Sequence, residues 1–544
     1  MKVKPGKRCW VWLIWRSTAR PEEARMEQLS ELDASLLYLE HEDCPLHTGG
    51  VYLFEAPEGT DPLTFDQLRE HLASRIQSTR RFRQRIVEVP FNLDHPYWAD
   101  DPNFNLDNHL IQVTLDQPVT LDALLPLAEA RQTQRLERDR PLWDVVFVDS
   151  HADGNRHTGL IVRTHQAIIN GATGEELMTY LLDFTPESRR PARKEAWQPA
   201  PLPSRTRLLG QAYANALNTP ARLAGMARDT VASAVHSVLM QRLKDLPLPF
   251  NLFTAPKTAF NQPVTAARAL DTAILPLERL KRIKAALPPA NLNDVLLSIV
   301  AEVAREELRA QGEQPTAPLT AMSPVSVRSK RLESPTGSQL TALIVSLDTH
   351  IDDMAERTLS IHGHAQASEI YSQAIAAARL THLVPSALMG LAARVYSEFQ
   401  LAQKHRPLFN LPVTNIPGPT RPLYLLGQPL VQQVACAPLY DGLASAFVFV
   451  SDASKVTLSV TWCPDTVHFE QPLQSRVDTA LARLEASLQH QDADALWQEV
   501  QSRHASLTSA GWFDDLSRLF TNLLDVPQLR KLYERARSAL NSAD

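Results

Sequence analysis

Cysteine is scarce in this chain: 544 residues contain four, at positions 9, 44, 436 and 463. Cys9, Cys44, Cys436 and Cys463 stand far apart and form neither metal-ligand nor disulfide spacing, which fits a reducing cytosol. No glycine-rich phosphate loop and no metal-ligating cluster occurs, so no bound cofactor and no metal centre are expected. No apolar run approaches the roughly 18 residues that a transmembrane helix needs. A strong charge of one sign is missing as well. The 55 basic and 61 acidic side chains leave a net charge of −6, which argues against bulk nucleic-acid binding. What remains is 44% apolar and 21% charged, ordinary for a globular protein with a large core and long enough for two α/β domains.

The most informative stretch is Thr164-His165-Gln166-Ala167-Ile168-Ile169-Asn170-Gly171. The apolar, β-branched run Asp144–Asp149 before it reads as a strand. Asp153-Gly154 is a hairpin signal, because both residues tolerate positive φ. His157–His165 reads as the returning strand. Thr173-Gly174-Glu175-Glu176 then has the form of a capping box, and Leu177–Leu182 continues as a helix. The motif therefore lies on a strand-to-helix turn, where rigid scaffolds often present chemistry. A lone His at a strand end is commonly a hydrogen-bonded structural residue, so the rest of the chain must decide.

From Met26 the order of short blocks resembles the bacterial wax ester synthase/diacylglycerol acyltransferase family. The blocks are Leu29–Glu40, Pro45-Leu46-His47-Thr48-Gly49-Gly50, Phe82-Arg83-Gln84-Arg85, Trp98 and Asp101–Phe104. Pro141-Leu142-Trp143 follows, then Asn293-Asp294, Pro324–Arg328, Asn415–Pro419 and Pro422-Leu423-Tyr424. The resemblance implies an α/β (α+β) fold of two chloramphenicol-acetyltransferase-like halves. Each half would be a mixed sheet flanked by helices, with an active-site tunnel between them. It implies acyl-CoA as cosubstrate and diacylglycerol or a fatty alcohol as acceptor. It places the catalytic motif, H-H-x-x-x-D-G, on His165, Gln166, Asn170 and Gly171. Pro141, Leu142, Trp143, Asn293 and Asp294 would line the tunnel or serve structure, with Asn293 as a helix N-cap.

Both ionisable positions of that motif carry amides here. The family's second His is the general base, and its place is taken by Gln166. The family's Asp is replaced by Asn170. A neutral amide offers donors and an acceptor but no pKa near neutrality. General-base catalysis typically contributes 10²–10⁴-fold, roughly 3–5 kcal/mol. Three readings stay open: a silent relative that still binds acyl-CoA or lipid, an enzyme whose base is His165 or a distant His, and a weak enzyme that relies on positioning. His165 and Gln166 should point to opposite faces of a strand, which argues against a simple exchange of roles.

The expected organisation is an extension over 1–25, a motif-bearing domain over 26–185, and a Pro-rich linker with basic helices over 186–250. A second domain over 251–490 and an amphipathic helical tail over 491–544 complete it. The first 25 residues pair Lys2, Lys4, Lys7 and Arg8 with Trp10, Trp12 and Trp15. They read as a disordered extension or a misplaced start. Pro186, Pro191, Pro199, Pro201 and Pro203 mark the linker, and a helical pattern returns from Arg205 to Leu243. Trp512, Leu516, Phe520 and Leu523 recur at helical spacing in the tail. The chain is placed in the cytoplasm, with a peripheral contact to the inner membrane or to lipid droplets left open.

Overall fold

The computed structural model describes residues 27–169, 180–187, 197–215, 255–314, 317–326, 340–377, 406–419, 421–489 and 492–508. The first half runs β1 (Glu27–Gln28), α1 (Glu31–Leu39), β2 (His47–Glu55), α2 (Phe65–Arg75), β3 (Gln84–Val87), β4 (Tyr97–Asp100), β5 (Leu110–Leu115), α3 (Leu121–Gln132), β6 (Trp143–Ser150) and β7 (His157–His165). The second half begins with β8 (Ala269–Pro276), α4 (Leu277–Ala285), α5 (Leu292–Ala310), β9 (Thr320–Ser326), β10 (Leu340–Ser346) and α6 (Met354–Ala377). It continues with β11 (Leu411–Ile416), β12 (Tyr424–Leu425), β13 (Gln428–Cys436), β14 (Ser445–Ser451), β15 (Lys455–Trp462), α7 (Leu473–Leu488) and α8 (Ala493–Thr508).

The expected hairpin forms β6 and β7, turning at Gly154 with φ 76°. Its strands are buried almost throughout, as central strands covered on both faces should be. Alternate residues feed two cores. Val145, Phe147, Leu160 and Val162 pack with Leu68 and Leu72 of α2. Val146, Val148 and Ile161 pack with Leu124 and Ala128 of α3. Gly49 lets β2 lie close to β7, since a Cβ there would stand 2.4 Å from the Val162 carbonyl oxygen.

Two six-stranded mixed sheets make the body, ordered β12-β13-β2-β7-β6-β5 and β10-β9-β11-β14-β15-β8. The series β2, β7, β6, β5 pairs antiparallel, antiparallel, parallel. The series β8, β15, β14, β11 repeats that pattern, so the halves are alike, as the resemblance implied. They also exchange chain. β12 and β13 come from the second half but extend the first half's sheet, with Cys436 opposite Gly49 and Val434 opposite Val51. A division at about residue 251 does not anticipate this exchange.

The N-cap expected at Asn293 falls instead on Asn291. The Asn291 side chain accepts from the backbone N–H groups of Asn293 and Asp294, while Asp294 Oδ2 accepts from Asn291 N at 2.7 Å. Starting two residues earlier lets Asp294 close a reciprocal box, which satisfies two terminal donors at once. The capping box at Thr173, most of the Leu177–Leu182 helix, the 216–250 part of the basic segment, residues 1–25 and the Trp512–Leu523 pattern lie outside the described residues.

A candidate active site where the halves meet

β7 ends at His165 and passes into a single 3₁₀ turn, Gln166–Ile168. His165 Nδ1 accepts from Ala167 N at 3.0 Å and so caps that turn. The proton of the neutral ring must therefore sit on Nε2, which faces Glu40 Oε1 at 3.4 Å. At that separation the contact is chiefly electrostatic, and among the described residues Nε2 makes no hydrogen bond of ordinary geometry. Backbone bonds fix both sides of the turn: His165 N donates to Leu142 O, and Gln166 N donates to Leu46 O, each at 3.0 Å. Ala167 and Ile168 pack with Leu29, Ala34 and Leu37 in and beside α1. His165 is buried, its lone pair is used and its N–H points at a carboxylate, so it holds the turn and has no free site for a substrate proton.

Glu40 is the anionic anchor. Burial pushes its carboxyl up, but His165 and Arg138 beside it outweigh burial and hold it down to about 2. Arg138 donates to Glu40 Oε2 at 2.9 Å, and Leu46 N donates to Oε1 at 3.2 Å. His47 stands directly opposite His165 in the β2–β7 register. It is fully buried, and among the described residues neither ring nitrogen is hydrogen-bonded. Burial, reinforced by the Arg163 charge, lowers its pKa to about 3, which makes it a feeble base near neutrality. Arg163, on the same face, spends its guanidinium on its cross-strand partner Asp144 and on the carbonyls of Arg131 and Gln134.

Gln166 is half-buried and lies at the seam between the halves. Its Oε1 accepts from the hydroxyl of Tyr440, in the loop between β13 and β14. Burial, with Cys44 adding to it, drives that hydroxyl well above its ordinary range. The loop and the segment before β2 are tied again nearby. His41 Nε2 meets Asp441 Oδ2 at 2.9 Å, Cys44 Sγ donates to Leu439 O at 3.2 Å, and Arg268 donates to Asp43 O at 3.2 Å. Leu46 and Cys44 belong to the second half's core.

The other expected positions divide. Pro141, Leu142 and Trp143 are buried. Trp143 Nε1 donates to Phe82 O at 2.9 Å, and its ring stacks on His109 at 4.4 Å. Leu142 bears on the motif through its carbonyl. Asp294 is fully buried and joins His362 Nδ1 at 2.7 Å. Among the described residues no hydrogen bond or ion pair joins Asn293 or Asp294 to the motif turn. Asn170 and Gly171 lie outside the described residues. Sequence reasoning assigned no role to Glu40, His47 or Tyr440. The first two sit in the quoted blocks, whereas Tyr440 is 274 positions from its partner and has no local signal.

A cavity of about 480 Å³ opens at the opposite end of the first sheet, lined by Phe65, Asp66, Gln112, Asp149 and His151 among others. Neither His165 nor Gln166 lines it. Among the described residues no group of His, Cys, Asp or Glu could hold a metal ion, and no helix is long and apolar enough to cross a membrane.

Two alike α/β halves that meet at a polar strand end make this a two-halved α/β scaffold. Within it, the wax ester synthase/diacylglycerol acyltransferase catalytic-domain profile matches residues 29–296, and the corresponding C-terminal domain profile matches 336–485. A Mycobacterium tuberculosis protein named provisionally as a diacylglycerol O-acyltransferase is 30% identical over 85% of this chain and all of its own. The O-acyltransferase WSD of Acinetobacter baylyi is 26% identical over 86% of this chain and 99% of its own. The chain therefore belongs to the wax ester synthase/diacylglycerol acyltransferase family. Its fold matches the wax ester synthase/diacylglycerol acyltransferase from Marinobacter aquaeolei VT8, with a TM-score of 0.59 and 24% identity over 85% of this chain and all of that one. A starter condensation domain of rhizomide synthetase shares the fold at a TM-score of 0.52 and 13% identity, over 86% of this chain and 96% of that one.

Proposed function

We propose that the chain transfers a fatty acyl group from acyl-CoA to the hydroxyl of diacylglycerol or a long-chain alcohol, with proton removal impaired. The acceptor oxygen attacks the thioester carbonyl, the new C–O bond forms as the C–S bond breaks, and the hydroxyl proton ends on the CoA sulfur. The two substrates would enter a tunnel between the halves from opposite sides. The observation that carries the reading is Gln166 itself: it lies at the seam where the family's base belongs, on an intact strand end. Intact scaffolding favours retained positioning, and an amide at that position removes the base. A thiol-release assay with palmitoyl-CoA, run with hexadecanol and with dioleoylglycerol, tests it. Slow, acceptor-dependent CoA release is expected. Tight palmitoyl-CoA binding without turnover would instead make the chain a non-catalytic acyl-CoA-binding relative.

Such acceptors reside in lipid, and one face supports contact with a lipid surface. Phe91 is 86% exposed at φ 59°, a backbone region bulky residues avoid, and Leu93 is 57% exposed. The helical stretch 205–215 packs beside this turn through Leu208 and Ala212, turning Tyr213, Arg205 and Arg207 outward. Aromatic and basic side chains together suit an anionic interface. Co-sedimentation with phosphatidylglycerol-containing vesicles should fall on Phe91→Asp, and unchanged sedimentation would remove this face from the reading.

A further inference from the structure

The hydrogen bond between Tyr440 and Gln166 does more than fill the place of a lost base. An amide has two ends, and this bond uses one of them. With Oε1 accepting from the Tyr440 hydroxyl, the amide plane is set and the NH₂ must face the other way. Among the described residues that nitrogen makes no hydrogen bond, and Gln166 itself is only half-buried. The backbone beneath it is pinned to Leu46 O and the turn is capped by His165. A firmly mounted N–H pair without a partner among the described residues therefore sits at the seam.

We propose that Gln166 serves this family's reaction as a hydrogen-bond donor to the thioester carbonyl, with Tyr440 as the residue that positions it. The inference rests on the acyl-transfer reading above and deepens it. As the acceptor oxygen bonds to the carbonyl carbon, negative charge gathers on the carbonyl oxygen, and the Gln166 NH₂ holds it there. Collapse expels the CoA sulfur, which takes the acceptor's proton directly or through water. No side chain accepts a proton in this scheme, so the reaction needs only a fixed donor. His165 is unfit to take that proton because its Nδ1 is already bonded, and burial makes His47 a feeble base. Tyr440 contributes by anchoring the amide at the seam through its bond to Oε1.

The test has two readouts. The first is the carbonyl stretch of palmitoyl-CoA labelled with ¹³C at the thioester carbon, bound to the full chain without acceptor. It should lie at lower wavenumber on the native protein than on Gln166→Met, and Tyr440→Phe should recover only part of the shift. The second is CoA release with hexadecanol. Removing an oxyanion donor typically costs about 10²–10³-fold in kcat, so Gln166→Met and Gln166→Glu should both fall by about that factor. Tyr440→Phe should fall on the order of tenfold with KM for palmitoyl-CoA unchanged, and it should cost nothing further in a Gln166→Met background. The native kcat should be flat with pH across the histidine range. An identical stretch on native and Gln166→Met protein overturns the inference while leaving the acyl-transfer reading standing. A native profile with a near-neutral inflection that disappears in His41→Gln also overturns it, by assigning a base to the His41–Asp441 pair. Failure of palmitoyl-CoA to bind at all overturns both.

Discussion

β7 and β15 hold equivalent places in their sheets, each antiparallel to both neighbours and each the returning strand of a central hairpin. They end differently. β7 ends at His165 and gives way to a polar turn facing the other half. β15 ends at Trp462, which packs on Phe469 at 5.0 Å, and Cys463 beyond it is fully buried beside Thr265. Around the first end, both His47 ring nitrogens, Thr164 Oγ1 and His165 Nε2 are buried without hydrogen-bond partners among the described residues; at the second, Ser445 Oγ is comparable. Leaving buried polar groups unsatisfied costs free energy, and in a native fold such groups call for an explanation. The scaffold is shared, and what distinguishes the site is what each strand end meets: a charged anchor and a foreign loop on one side, an apolar floor on the other.

The comparison breaks most severely at its anchor. Glu40→Gln should lower the stability of the first strand end by about 3 kcal/mol, the equivalent of moving a carboxyl from about 4.5 to about 2, read by urea unfolding at pH 7. The sign is fixed by the direction of the shift. The contribution is complete above the unfolded pKa and drains as pH falls from about 4.5 toward about 2. His47, held neutral by burial with a pKa of about 3, works the same way from a higher starting point. Its unfolded form takes up a proton near pH 6.5, so stability declines on acidification and the native protein should be acid-sensitive below that point. An Glu40→Gln curve with unchanged acid sensitivity between pH 4.5 and 2 would contradict the assignment.

Gln166→His sharpens the comparison next. The exchange removes the amide donor and adds a base, so acceptor-dependent CoA release should gain a pH inflection in the histidine range with little net change in rate. Cys463→His, at the matching end of β15, should raise nothing and destabilise the core. Cys463→Ala is a smaller perturbation: it should cost about 1 kcal/mol through the cavity it leaves and leave turnover untouched. Loss of turnover there would mean the second strand end shares in the chemistry. The smallest effect is expected at the seam clasp. The hydrogen bond to Asp441 raises the His41 pKa against the pull of burial. That clasp therefore contributes fully below pH 6.5 and is lost as pH rises through the raised value. The pair is partly exposed, so it is worth at most about 1 kcal/mol. Melting temperature should decline slightly less with rising pH in Asp441→Asn than in the native chain.

Much of the fold was legible because it is local. The β6–β7 hairpin follows from β-branched runs around Asp153-Gly154, and α5 follows from its apolar spacing. The blocks around His47, Trp143 and Asn415 carried the family. What was hidden is non-local. Glu40 meets His165 across 125 residues and Tyr440 meets Gln166 across 274, and no periodicity encodes either pairing. The N-cap at Asn291 was missed because Asn291 and Asn293 are chemically equal candidates, and only the reciprocal bond from Asp294 separates them. The conclusion that His165 and Gln166 differ in role was available from strand alternation. That His165 is consumed by the turn was not, since it depends on Ala167 N–H reaching back to Nδ1.

The exchanged strands set an order on the birth of the molecule. β2 cannot complete its outer ladder until β13 exists, and Thr48 waits 388 residues for the Cys436 carbonyl it bonds. During synthesis the first half must therefore leave the ribosome with a bare sheet edge, the kind of template that invites pairing with another chain. At typical elongation rates of about 5–20 residues per second, that exposure lasts on the order of tens of seconds. A holdase that covers β2 over that interval would matter more to the yield of this protein than to its final stability.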